Sequence, residues 1–123
     1  MSKYPIIVFE GIEASGKSTS IRKVVKFLKK NKISYVSFRE PGGTIFSEKI
    51  RSLMLNKKSK LSKKTDLFLL MSSRAENIDK IVKKYFGKKV ILIDRFIDST
   101  IAYQHYGMKL DKNLIFKMND FLL

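Results

Sequence analysis

The stretch Gly11–Ser18 constrains the fold of this chain more than any other segment. It reads Gly-Ile-Glu-Ala-Ser-Gly-Lys-Ser and fits the pattern Gly-x-x-x-x-Gly-Lys-[Ser/Thr] without a mismatch. The β-branched run Pro5–Phe9 before it predicts a buried strand, and apolar residues after Lys17 recur at helical spacing as far as Asn31. A strand, a glycine-rich loop and a helix in this order predict a P-loop, whose backbone N–H groups and helix N-terminus bind phosphate.

The P-loop residues predict a nucleoside triphosphate site with Mg²⁺. Lys17 is expected to neutralise the β and γ phosphates, and Ser18 to offer its hydroxyl to the metal. Asp94 follows the apolar run Val90–Ile93, where a P-loop fold places the acid that holds Mg²⁺ or its water. The expected ATP-binding residues are Gly11, Ile12, Glu13, Ala14, Ser15, Gly16, Lys17, Ser18 and Thr19.

Strands and helices are predicted to alternate along the rest of the chain. Further strands are expected at Tyr35–Phe38 and Val90–Ile93, and the intervening segments have helical periodicity, as do Ile97–Tyr106 and a last segment from Leu114 to Leu122. Strands separated by helices imply right-handed crossovers and a parallel sheet. The predicted fold is therefore α/β: a three-layer P-loop NTPase domain formed by residues 1–123, with its site at the carboxyl ends of the strands.

Composition limits the alternatives. The chain has a net charge of +15 and no cysteine, which excludes disulfides and Cys-based zinc sites. Its apolar runs are too short to cross a membrane, so a soluble cytoplasmic protein is expected. The charge fits three interpretations: lysines on solvated faces, a nucleic-acid partner, or a small polyanion such as a nucleotide.

The arginines favour an anionic second substrate. Arg39, Arg51, Arg74 and Arg95 are all predicted near strand ends or on adjacent helices. Phosphoryl transfer requires neutralisation of charge on both the donor and the acceptor, and the guanidinium group binds phosphate oxygens with two parallel hydrogen bonds.

Three further motifs narrow the prediction to a family. They are Arg-Glu-Pro-Gly-Gly-Thr at 39–44, Ser-Arg at 73–74, and Asp-Arg-Phe-Ile-Asp-Ser-Thr-Ile-Ala-Tyr-Gln at 94–104. Together with the P-loop they occur in the order and spacing of the thymidylate kinases (dTMP kinases), which this chain resembles over essentially its whole length. The resemblance implies transfer of the γ-phosphoryl group of MgATP to dTMP, giving dTDP.

The resemblance also implies roles for individual residues. Glu13 corresponds to an acid near the sugar 3′-hydroxyl and the acceptor phosphate, and Lys17, Arg95, Asp94 and Glu13 form the implied catalytic set. Arg39 and Arg95 correspond to arginines that hold the dTMP phosphate. Arg51 and Arg74 correspond to arginines that line the nucleoside pocket, Arg74 meeting a thymine carbonyl.

The remaining implied contacts concern the base, the sugar and the acceptor loop. Thr100 and Gln104 correspond to groups that read the base edge, and Tyr103 to an aromatic that disfavours a ribose 2′-hydroxyl. Pro41 corresponds to a proline that shapes the acceptor loop, often after a cis peptide bond. Leu70 stands where the family usually has a phenylalanine stacked on thymine. Leucine at this position would lose about 0.5–1.5 kcal/mol of aromatic stacking.

Two expectations concern the completeness and assembly of the protein. Ala14 replaces the P-loop arginine of one subgroup, so the chain resembles the bacterial type, whose catalytic arginines lie in a later lid segment. That lid and the later strands are absent from this sequence, so the chain is expected to be a fragment with little activity alone, and the full-length form a homodimer. Two alternatives remain open: another nucleotide or nucleoside kinase, and a basic P-loop module that binds nucleic acid.

Overall fold

A parallel three-stranded sheet lies at the centre of the fold. The computed structural model describes residues 4–12, 15–56, 58, 60–96, 107 and 109–123. Its strands are β1 (Ile6–Phe9), β2 (Tyr35–Arg39) and β3 (Val90–Asp94), in the spatial order β1-β3-β2. Both pairings are parallel, as predicted. Because β3 is the central strand, its apolar residues are buried on both faces.

Three of the described helices begin after residues whose side chains cap them. The described helices are α1 (Lys17–Lys30), α2 (Ile45–Leu55), α3 (Lys63–Asn77), the short α4 (Lys83–Tyr85) and α5 (Lys112–Leu122). Side-chain oxygens of Thr44, Ser62 and Asp111 accept hydrogen bonds from first-turn backbone N–H groups of α2, α3 and α5.

Alternate residues of β3 divide the core between the two faces of the sheet. Val90 and Leu92 pack with Leu28 of α1 on one face. Ile91 and Ile93 pack with Phe38, and with partly buried residues that follow α3, on the other. A third cluster joins α3 to α5 through Leu67, Met71 and Ile115. Helices thus cover both faces of the sheet, which is the predicted three-layer arrangement.

The structure differs from the sequence-based prediction in two places, and one further predicted helix cannot be compared. The helix predicted to run on from α3 changes to a π-helical turn at Ile78–Val82 before α4. On α5, Ile115 is fully buried, but Phe121 of the same predicted apolar face is 87% exposed. The helix predicted at 97–106 lies outside the described residues.

β1 leaves part of its apolar surface exposed. β1 lies at the edge of the described sheet, and Ile6 and Val8 are each about 40% exposed. No helix among the described residues is long and apolar enough to span a membrane.

Candidate active site

A cavity of about 520 Å³ opens at the carboxyl ends of all three strands. This strand-end cavity is lined by Ile12, Gly16, Lys17, Ser18, Thr19, Arg39, Glu40, Arg51, Asp94 and Arg95. The lining comes from the loops after the three strands, the last residues of β2 and β3, the first turn of α1 and one residue of α2. The three loops thus meet at the edge of the sheet where the site is predicted. The volume of the cavity is within the range of small-molecule sites.

The P-loop presents its lysine to the end of the central strand. Gly16 caps α1 in the left-handed conformation (φ 86°), which glycine adopts without steric cost, and Lys17 is the first residue of the helix. The Lys17 Nζ atom lies 2.5 Å from Oδ1 of Asp94, the last residue of β3. This ion pair was not foreseen in the sequence, and it fixes the lysine and the predicted metal-binding acid in one place.

Arg39 and Arg51 approach the cavity from the β2 side. The Arg39 Nη2 atom lies 3.4 Å from Glu48 Oε2, and Arg51 Nη1 donates a hydrogen bond of 2.8 Å to the carbonyl of Pro41. Partial burial lowers the pKa of Arg51, and the neighbouring charge of Arg39 lowers it further. A hydrogen bond from the backbone N–H of Gly43 lowers the pKa of Glu48. Like charges held close together indicate a site for an anion.

The turn after β3 places Arg95 beside these groups. Arg95 has a left-handed backbone (φ 70°), and its N–H donates to the carbonyl of Phe9 at 2.8 Å. The next residue, Phe96, donates its N–H to Glu10 Oε1 at 2.6 Å. A left-handed non-glycine residue costs about 1–2 kcal/mol, and such strain is concentrated at functional sites.

Residues 40–44 connect β2 to α2 and are named here the β2–α2 loop. Side chains of α3 hold this loop in place through hydrogen bonds. Its Glu40–Pro41 peptide bond is cis, as the resemblance had suggested. Asn77 donates to the carbonyl of Gly42 at 2.5 Å and accepts from Thr44 N at 3.2 Å. The Ser73 hydroxyl lies 3.4 Å from both the N and the O atoms of Gly42. Asn77 was missed in the sequence because no local pattern relates it to a loop more than thirty residues away.

Arg74 and Leu70 are not among the residues that line the cavity. Arg74 is 1% and Leu70 is 5% exposed. The Arg74 guanidinium is engaged by Glu40 and Asn119 within the protein. Their predicted contacts with thymine therefore stay predictions, and the structure adds a second set of contacts for Arg74 that the sequence did not suggest.

Several predicted site residues lie outside the described residues. These are Glu13, Ala14, Thr100, Tyr103 and Gln104. Their assigned roles are unchanged as predictions. Of the described candidates, Gly11, Ser15 and Pro41 belong to the loops that form the site but are not among the residues lining the cavity.

The predicted Mg²⁺ ligands have suitable chemistry. Ser18 and Asp94 both line the cavity and supply oxygen donors, which Mg²⁺ prefers. No group of three or more His, Cys, Asp or Glu residues that could hold a metal occurs in the part of the chain that the structure describes. Mg²⁺ at nucleotide sites binds through one or two protein ligands, phosphates and water, so these two residues fit it.

Comparison with known proteins identifies the family. A family model described as thymidylate kinase matches residues 9–123, which is most of the chain. The chain belongs to the thymidylate kinase family. The resemblance drawn from its motifs is confirmed, and so is the P-loop kinase fold.

Individual relatives agree with this assignment and show how much of them the chain covers. It is 43% identical over 116 residues to a thymidylate kinase of Kosmotoga olearia, covering 94% of this chain and 56% of that protein. It is 41% identical over 111 residues to one of Chlorobium luteolum, covering 89% of this chain and 52% of that protein. The chain thus spans about half the length of the curated relatives it matches.

A solved structure supports the same fold. The crystal structure of thymidylate kinase from Ehrlichia chaffeensis is similar with a TM-score of 0.85 and 37% sequence identity. The match covers 98% of this family member and 69% of that chain.

Proposed function

We propose that this chain carries the MgATP and dTMP sites of a cytoplasmic dTMP kinase, which transfers the γ-phosphoryl group of ATP to dTMP. The observation that carries the proposal is the convergence of Lys17, Arg39, Arg51 and Arg95 on one cavity that also contains Asp94. Two negatively charged phosphates can approach each other only where cations offset their repulsion. Membership of the thymidylate kinase family supports dTMP as the acceptor.

The proposed reaction needs positioning and neutralisation of charge rather than a covalent enzyme intermediate. A phosphate oxygen of dTMP attacks the γ-phosphorus while the bond from that phosphorus to the β–γ bridging oxygen breaks, and ADP leaves. Lys17 and the backbone N–H groups at the start of α1 hold the donor phosphates. Arg39 and Arg95 hold the acceptor phosphate in line with them.

Ser18 and Asp94 are the residues proposed to hold Mg²⁺, Asp94 directly or through a water molecule. When bound, Mg²⁺ would neutralise charge on the β and γ phosphates. In its absence Asp94 is the ion-pair partner of Lys17. Through this ion pair Asp94 orients the lysine that the donor phosphates require.

The direct test is nucleotide binding by calorimetry with a matched pair of variants. Arg39→Met removes a proposed phosphate ligand whose side chain is 53% exposed, so the fold should persist. We expect it to weaken dTMP binding by about tenfold or more, while thymidine, which lacks the phosphate, is affected much less. Lys49→Met, an exposed cation on α2, is the control and should leave dTMP affinity unchanged.

The same titrations separate the alternatives. A different pyrimidine kinase would prefer dUMP or dCMP over dTMP, a possibility that Leu70 keeps open. A nucleic-acid module would bind DNA with a steep salt dependence and no mononucleotide. The observation that favours the nucleic-acid module is the exposed basic face of α1, which carries Arg22, Lys23, Lys26, Lys29 and Lys30. Absence of dTMP binding by the wild-type chain would contradict the dTMP kinase proposal.

We also propose that the full-length protein is a homodimer. On α2, Phe46 and Leu53 are both 52% exposed and lie two helical turns apart, on the same side of the helix. Two half-exposed apolar side chains on one side of a helix support a partner surface there.

A further inference from the structure

A buried polar network connects the β2–α2 loop to α3 and α5. Its members Glu40, Arg74 and Asn119 are 4%, 1% and 3% exposed. Arg74 donates from Nε and Nη2 to Glu40 Oε1, at 2.9 and 2.6 Å. It also donates from Nη1 to Asn119 Oδ1, at 2.6 Å. One guanidinium group thus joins three segments that are far apart in sequence.

The same guanidinium also contacts the turn after β3. Arg74 Nη2 donates to the carbonyl of Phe96 at 3.2 Å, and the Phe96 ring centroid lies 4.8 Å from the guanidinium carbon. Glu40 is the residue after Arg39, and Phe96 is the residue after Arg95. Arg74 therefore holds the immediate neighbour of each of the two arginines proposed to bind the acceptor phosphate.

The energetics of this network favour a role in positioning. A buried ion pair contributes little net stability, because desolvation offsets the attraction of the charges. Burial raises the pKa of Glu40, and the neighbouring Arg74 opposes that rise. A planar guanidinium with several fixed donors does, however, define distances and angles between its acceptors. Its acceptors here are the two loops of the proposed dTMP site and one residue of α5.

Asn119 supplies the part of this arrangement that is furthest from the site. Its Oδ1 accepts from Arg74, whereas its Nδ2 is buried without a hydrogen-bond partner among the described residues. The acceptor oxygen is therefore the functional atom of this side chain. It binds Nη1 of the guanidinium group whose Nε and Nη2 bind Glu40 and whose Nη2 also reaches the carbonyl of Phe96.

We propose that Asn119 and Glu40 are positioning residues for the acceptor site: through Arg74 they fix the spacing of Arg39 and Arg95. This inference rests on the proposed dTMP site. Neither residue needs to touch the nucleotide. The network links α5 by hydrogen bonds of one side chain to the residue that follows each of these two arginines.

The test uses three substitutions on α5, with affinities measured by calorimetry on folded protein. Asn119→Leu keeps the size of the side chain but removes the acceptor, and should weaken dTMP binding by about tenfold while ATP binding stays within about twofold. Asn119→Asp keeps the acceptor oxygen and removes the unpartnered donor. Its affinity for dTMP should therefore be close to that of the wild type. Ile115→Val is the control, since it shortens a fully buried apolar side chain of the same helix and removes no polar group.

A second readout keeps the inference separate from the proposed function. Inorganic phosphate is titrated while the ¹⁵N-bound Nε–H signals of Arg39 and Arg95 are followed by NMR. Both signals should respond at the same phosphate concentration in the wild type and in Asn119→Asp, and at about tenfold higher concentration in Asn119→Leu. A wild type that binds phosphate there but not dTMP would contradict the proposed function alone.

Three outcomes would overturn the inference. The first is an Asn119→Leu variant that binds dTMP and phosphate as the wild type does. The second is an equal loss in Ile115→Val, which would show a general effect of stability. The third is a wild type in which phosphate moves neither arginine signal, because no anion site would then exist for the network to position.

Discussion

At the scale of single residues, Lys17, Arg39 and Arg95 bring positive charge to the cavity, and Glu40 and Asn119 bind Arg74, which contacts the turn after β3. Lys17, Arg39 and Arg95 belong to motifs with fixed spacing, so their convergence could be predicted. Glu40 and Asn119 act on Arg74 across 34 and 45 positions of sequence. No local pattern encodes such a pairing. An Asn in an amphipathic helix gives the same sequence pattern whether its side chain caps the helix, is exposed or is buried.

Gly43 is a residue whose replacement should damage the acceptor site. Its φ of 123° is one that residues with a side chain rarely adopt, and an added Cβ would collide with the amide group of Asn77. That amide anchors the β2–α2 loop. We expect Gly43→Ala to lower the free energy of unfolding by roughly 2–4 kcal/mol, measured by urea denaturation.

Gly87 provides the control for this prediction. It also has a positive φ, 73°, but an added Cβ there would have no neighbour within 4 Å. Gly87→Ala should therefore cost only the backbone strain, about 1 kcal/mol. Equal losses in the two variants would mean that Asn77 moves aside easily and does not clamp the loop.

At the scale of helices and strands, the sequence predicted the position of each element better than the exposure of its residues. A continuous apolar run located β3 closely, because that strand is buried on both faces, and the period of 3.6 residues located α1, which is apolar on one face. The π-helical turn at Ile78–Val82 was not predicted, since one extra residue per turn barely alters hydrophobic spacing. The exposure of Phe121 was not predicted either, because it depends on neighbours rather than on periodicity.

The N-cap of α2 should contribute more to stability than the N-cap of α3. Thr44 Oγ1 accepts from Ser47 N at 3.1 Å and also donates to Ser47 Oγ, which in turn donates to the buried carbonyl of Ser73. The Ser62 cap makes only exposed bonds with Thr65. We expect Thr44→Ala to cost about 1–2 kcal/mol and Ser62→Ala about 0.5–1 kcal/mol in urea unfolding.

This comparison isolates the burial of the cap. Both substitutions remove one hydroxyl group at the same helix position, so helix propensity outside the cap is unchanged. If Ser62→Ala were as costly as Thr44→Ala, the hydrogen-bond chain from Thr44 to Ser73 would have no energetic importance, and the β2–α2 loop would be held by Asn77 alone.

At the scale of the whole molecule, the alternation of strands and helices sufficed to predict a parallel α/β fold with its site at the strand ends. How two copies meet could not be predicted in this way, because an exposed apolar residue and a buried one give the same pattern in sequence. Phe46 and Leu53 are part of the helical periodicity of α2, and the structure leaves both half exposed. These residues supply the proposed dimer surface.

The net charge of +15 predicts the salt dependence of this dimer. Two equally charged copies repel each other, and the repulsion is screened over about 10 Å at 0.1 M salt and about 3 Å at 1 M. The apolar contact does not weaken with salt. We therefore expect sedimentation velocity at fixed protein concentration to show a dimer fraction that rises with ionic strength, whereas non-specific binding to nucleic acid would fall steeply.

Two substitutions assign the effect to α2. Phe46→Glu should shift the equilibrium to monomer at every salt concentration, because it buries a charge in the proposed apolar contact. Phe27→Glu, at a residue 60% exposed on α1, introduces the same charge on a different helix and should leave the dimer fraction close to that of the wild type. A dimer that dissociates as salt rises would instead require an interface held by opposite charges, and would contradict a contact formed by Phe46 and Leu53.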